Sequence, residues 1–156
     1  MRKPSAAKQP GDTTTATQKS RAICFAVSEI GESGTVPTIQ VLNRSDRRVL
    51  LIAGEQLIGC KQNRVLNISV MVAARANVAI PVSCVEAGRW RSESRRFRAG
   101  AGTAHANLRR IQCRAVRERY KDGAKGESDQ CEVWNEVERK LHAMNAASPS
   151  VLMNTP

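Results

Sequence analysis

The chain changes its apolar rhythm once, and that change limits what it can fold into. Before Trp90 the apolar residues come in short runs: Ala22–Val27, Thr38–Leu42, Arg48–Ile52, Ile68–Val72 and Val78–Val82. Runs of this length, parted by turn residues such as Glu32-Ser33-Gly34 and Asn43-Arg44-Ser45-Asp46, predict strands of a sandwich or barrel-like unit. The Asn43 turn has the Asx type of side-chain-to-backbone chemistry. Arg48–Ile52 is apolar throughout after its first residue, which predicts a strand buried on both faces. Pro81 cannot donate to a ladder, so its strand is expected to lie at an edge or a bulge. After Asn107 the spacing becomes helical. Leu108, Ile111 and Ala115 share one side, with Val116 and Tyr120 widening the stripe, over 107–120. Ser128 or Asp129 can cap a second helix carrying Val133, Trp134, Val137, Leu141 and Met144, with Glu136 and Lys140 paired on its outside. The expected fold class is therefore α+β: an antiparallel β-rich N-terminal half followed by two helices. The segment 91–106, rich in Arg, Ser and Gly, looks too irregular to form core.

Between the third strand and Trp90 the sequence crowds polar groups among glycines. Gly54 and Gly59 can take a positive φ or admit a close neighbour. Around them stand Glu55, Lys61, Gln62, Asn63, Arg64 and Asn67, and the block from Pro81 closes with Glu86, Arg89 and Trp90. Two carboxylates in one cleft, Glu55 and Glu86, would be candidates for divided acid and base roles. Buried pairing of each with Lys61, Arg64 or Arg89 is the simpler account of them. Lys61, Arg64 and Arg89 are candidate phosphate ligands, with Gln62, Asn63, Asn67 and Trp90 completing a binding site. There is no Walker or Gly-x-Gly-x-x-Gly pattern to support a nucleotide fingerprint. Cys60 and Cys84 lie in the same blocks with no histidine nearby, so packing explains them better than nucleophilic chemistry. Trp90 and Trp134 read as core or lid residues, with a nucleobase contact open to Trp90.

Charge and cysteine usage narrow the classes. The formal charge is +11, and the cations between Arg89 and Lys121, ten arginines and one lysine, face only Glu93 and Glu118. Such a surplus suits an anionic partner, including non-specific contact with nucleic acid through Arg89–Lys121; a solvated arginine-rich face is the simpler account. Aromatics are 3% of the chain, so the interleaved stacking platforms of single-strand readers are missing. The five cysteines are dispersed without a Cys-x-x-Cys, and His105 and His142 are the two histidines. Zinc or another metal is therefore not expected, nor is a cofactor; reduced, mostly buried thiols in a cytoplasmic protein are. No apolar run approaches the length of a membrane span, and no signal h-region follows the basic N-terminus. Residues 1–21 are expected to be a disordered basic tail, 22–150 a single domain and 151–156 a further tail.

The residues Gly54-Glu55-Gln56-Leu57-Ile58-Gly59-Cys60-Lys61-Gln62-Asn63-Arg64-Val65-Leu66-Asn67, Pro81–Trp90, and Ser128-Asp129-Gln130 followed by Val133-Trp134 together resemble a prokaryotic domain family, the ADP-ribosylglycohydrolase- and rhodanese-phosphatase-associated proteins. The resemblance runs from about Ile23 to Ser150. It implies a theme of ADP-ribose or related nucleotides, as an association of genes rather than a chemistry. It also implies longer relatives, so an incomplete C-terminus with an exposed apolar strip or unpaired sheet edge is expected here. The function expected is binding or processing of a nucleotide-like small molecule. The alternative is a non-catalytic interaction protein that docks on nucleic acid or an acidic partner.

Overall fold

Alternation of buried and half-exposed residues builds the first pair of long strands. In a computed structural model that describes residues 14–15 and 24–145, β1 is Thr14–Thr15, β2 Phe25–Ser28 and β3 Thr38–Asn43. Ile39, Val41 and Asn43 point inward from β3 while Thr38, Gln40 and Leu42 do not. The rest of the expected N-terminal tail and the C-terminal one lie outside the described residues. The remaining strands are β4 Val49–Leu51, β5 Glu55–Ile58, β6 Arg64–Leu66, β7 Val70–Val72, β8 Asn77–Cys84 and β9 Arg98–Thr103. Two helices follow, α1 Ala106–Lys121 and α2 Gln130–Ala143.

Six strands form one antiparallel sheet in the order β2-β3-β8-β6-β5-β9, and β1-β4-β7 form a second. Strand β8 makes the corner. Its first part pairs with β3 as far as Thr38↔Pro81, and its last three residues pair with β6 from Leu66↔Val82. Pro81 sits where one partner gives way to the other, at an interior strand rather than an edge, so its missing N–H costs little ladder pairing. The Phe97 N–H donates to the Val27 carbonyl at 2.8 Å, joining the chain before β9 to β2 and curling the sheet toward a barrel. Inside lies one apolar cluster, with Val41, Leu51, Leu66, Val72, Val82 and Phe97 among its members. A second cluster (Val65, Val85, Ala104, Leu108, Val133, Val137) fixes the helices to the outside of the sheet.

Several expectations change. The polar block after Gly54 contains two strands, β5 and β6, and segment 91–106 contains β9, paired with β5 across Leu57↔Ala99. Gly100 is what admits this pairing: a Cβ there would meet Gln56 Cβ at 2.7 Å. Strand β4 buries Val49 and Leu51 but leaves Leu50 half-buried, and Ile52 just after it is exposed, so its second side is only partly covered. Asn43 does form its Asx turn, accepting from the Ser45 N–H at 3.1 Å. Tyr120 is 69% exposed, and α1 instead buries Gln112.

The α2 surface also differs. Glu136 is buried and pairs with Arg139 at 2.7 Å, not outward with Lys140, because that side of α2 meets α1. His105 caps α1, Nδ1 accepting from the Leu108 N–H, and its Nε2 lies 3.5 Å from Glu136 Oε1. Burial holds its pKa below the ordinary 6.5 despite that carboxylate. Asp129, which caps α2 and accepts from the Glu132 N–H at 3.0 Å, is held below 3.8 chiefly by that bond, and Glu136 below 4.5 chiefly by Arg139. Each group binds its proton less readily folded than unfolded, so the stability it contributes is present above its unfolded pKa and lost on acidification. Urea midpoints should therefore fall as the pH drops below about 6.5 and further below about 4.5. A midpoint that rises on acidification through this window would contradict the assignment.

Candidate functional site

The turn from Gly59 to Asn63 is built at the end of the β5–β6 hairpin, and its backbone is bonded to side chains from elsewhere. Cys60 takes a positive φ of 48°, its N–H donates to Ser94 Oγ at 2.9 Å, and its carbonyl accepts from Arg89 at 3.0 Å. Asn63 Oδ1 accepts the Gly59 N–H at 3.0 Å. The Asn63 N–H in turn donates to Glu86 Oε2, 3.0 Å away, and the same oxygen holds Arg89 at 2.6 Å. Gln62 donates to the Glu86 carbonyl. Six of the expected site residues, Gln62, Asn63, Arg64, Glu86, Arg89 and Lys61, thus meet at one end of the barrel, and Trp90 joins them.

Arg64 is the centre of this end. It is on β6, on the face opposite Val65, and has 0% exposure. Its guanidinium donates to the Val36 carbonyl at 2.9 Å and to the Thr35 carbonyl and Glu29 Oε1 at 3.4 Å, and it contacts Cys84 Sγ. Its two terminal nitrogens are spent on protein partners, while Nε is buried without one. The rim is different. Trp90 is 46% exposed, with Lys61 Nζ 5.3 Å and Arg64 Cζ 5.7 Å from its ring centroid. Lys61 Nζ also donates to the Ser33 carbonyl at 2.6 Å.

The family model for ARPP-1, the ARG and Rhodanese-Phosphatase-superfamily-associated Protein domain, matches residues 4–155. The chain belongs to this family. No curated protein and no solved structure matches it.

Two expected site residues of this ARPP-1 domain stand apart from the barrel end. Glu55 begins β5, where its carboxylate accepts the Ile52 N–H at 3.2 Å. Glu86 is beside Asn63 at the far end of the hairpin, so about four strand residues, roughly 13 Å of backbone, separate the two positions. Asn67 belongs to the opposite end as well, accepting from Ser83 at 2.7 Å and Gln112 at 3.0 Å. Cys60 and Cys84 are buried, but Cys24, Cys113 and Cys131 are exposed, so most of the thiols are on the surface. Burial raises both buried thiols, Cys84 to about 11, which leaves them protonated and poor nucleophiles at neutral pH.

The ARPP-1 sequence also hid residues that matter. Glu29 is the acid partner of Arg64 from 35 positions away. Gln130 clamps α2 to the end of β8 with a reciprocal pair, accepting the Cys84 N–H and donating to its carbonyl, both at 2.8 Å. No periodicity marks either one; only the block Ser128-Asp129-Gln130 in the family resemblance pointed near the second. The cations of 89–121 are divided among a loop, β9 and α1, and Arg114 and Arg119 are paired with Glu132 and Asp129. No helix among the described residues is long and apolar enough to cross a membrane.

Proposed function

We propose that this ARPP-1 domain binds a nucleotide-like small molecule at the open end of its barrel. The observation that supports this is the half-exposed Trp90 ring held against Lys61, beside Arg89. An indole offers a face to a base, and the cations around it suit phosphate. Gln62, Asn63, Arg64 and Glu86 act behind that rim as the frame that orients it. The association carried by the family's name, with an ADP-ribosylglycohydrolase theme, makes ADP-ribose the first ligand to try. Glu86 is committed to Arg89 and Glu55 lies at the other end, so binding is the reading and no reaction is assigned.

The test is a fluorescence titration in a Trp134→Phe background, which leaves Trp90 as the indole reporter. ADP-ribose and AMP should quench it saturably. Lys61→Ala should weaken binding by about tenfold or more, the loss expected for a charge-assisted contact. Trp90→Ala, followed by calorimetry, should cost about 1–3 kcal/mol, as for loss of base stacking. Absence of quenching and of any calorimetric signal with either ligand would overturn the proposal.

A further inference from the structure

The helix α1 bounds a concavity that none of the barrel-end residues touches. Arg109, Gln112, Cys113, Val116, Arg117 and Tyr120 recur at three- and four-residue intervals, so they share one face of α1. That face forms one wall of a groove of about 540 Å³, whose other wall is Ala53-Gly54 and Asn67-Ile68-Ser69. The volume is within the usual range of small-molecule sites.

Three features say what the groove is made to hold. First, Gln112 is 2% exposed, and its orientation is set by Nε2 donating to Asn67 Oδ1, an oxygen that also accepts from Ser83. This leaves Gln112 Oε1 buried with no hydrogen-bond partner. A buried acceptor without a donor is costly, and a ligand N–H or O–H would relieve it. Second, the walls are mostly apolar, with Ile68 and Val116 flanked by the exposed Tyr120 ring. Third, Arg109 and Arg117 stand at the two ends, about 12 Å apart along the helix. Arg109 is laid against Gly54, where a Cβ would come within 2.5 Å of its Cδ. The lack of a side chain at Gly54 therefore makes the room that Arg109 occupies beside the groove.

We propose that this groove is a second binding site, for a planar ring that carries a hydrogen-bond donor and an anionic group. The ring lies between Ile68, Val116 and Tyr120, the donor serves Gln112 Oε1, and the anion pairs with Arg109 or Arg117. A phosphate and a carboxylate both fit that chemistry. The proposal needs nothing from Trp90 and stands independently of the barrel-end site.

Cys113, exposed on the groove wall, supplies the test. The full chain is alkylated with N-ethylmaleimide and each cysteine is followed by peptide mass spectrometry, with AMP, indole-3-carboxylate or adenosine present. AMP or indole-3-carboxylate should slow labelling of Cys113 and leave Cys24 and Cys131 unchanged; which of the two protects identifies the phosphate or the carboxylate. Adenosine, which lacks the anion, should need about ten- to a hundredfold higher concentration. Arg117→Ala, an exposed change that spares the core, should weaken protection by a similar factor, and Gln112→Met should do so where circular dichroism shows an intact fold. Trp90→Ala should leave protection as it was. The proposal is overturned if neither anion protects Cys113, if all three thiols are protected alike, or if Trp90→Ala abolishes the protection.

Discussion

Arg64→Ala is expected to lower the unfolding free energy by about 3–5 kcal/mol, the range for removing one partner of a buried charge pair. The guanidinium is fully enclosed, and its loss would strip the Glu29 carboxylate of its cation and the Val36 carbonyl of its donor. It would also leave a cavity beside Cys84 and cut the tie between β6 and the 29–37 loop. Arg64→Lys should recover only part of the loss, since an ammonium keeps the charge but cannot divide a planar fork among three acceptors. Urea unfolding of the two variants, followed by circular dichroism, measures both effects. A change under about 1 kcal/mol for the alanine variant, joined to loss of ADP-ribose binding, would instead make Arg64 a ligand-contacting residue.

The second large effect belongs to Gly59→Ala. Gly59 has a φ of +116°, a region that an alanine enters only with strain. A Cβ there would also lie 2.4 Å from Ser94 Oγ and 3.3 Å from the Arg96 carbonyl oxygen. Ser94 would have to leave, and the Cys60 N–H would lose its acceptor. Strained backbone costs about 1–3 kcal/mol, and an orphaned buried donor about as much again. The turn that carries Lys61 would shift as well, so ligand affinity at the barrel end should fall together with stability. Ser94→Ala separates the two parts, because it removes the hydroxyl and leaves the glycine. If Gly59→Ala melts like the parent protein, the turn is not held as described.

How much was legible depends on where the information lies. The order of strands before helices could be read because strand and helix periods are local properties of the chain. The α2 cap could be read because an Asp before an apolar helical stripe has few other uses. Gly54 and Gly59 announced special backbone, and both have it. Strands β5 and β6 were missed for a physical reason: they are three or four residues long and buried on both sides, so they show no alternation, and their polar members look like loop. β9 was missed because glycines, Gly100 and Gly102, supply its inner surface while its alanines are exposed, and at Gly100 close approach to β5 takes the place of a bulky side chain.

The site divides along the same line. The sequence by itself determined that cations, carboxylates and amides would be concentrated between Gly54 and Trp90, and six of them do meet around the Gly59–Asn63 turn. It did not determine which face inward. That was decided by partners far along the chain: Val36 for Arg64, Gly126 for Asn67 and Asn67 for Gln112. Whether a buried polar group is a structural tie or an unmet hydrogen bond depends on what stands within about 3 Å of it. The chain's local pattern carries no record of that distance, and so Arg64 as a structural hub and Gln112 on the floor of a groove emerge only when the sheet closes and α1 packs on it.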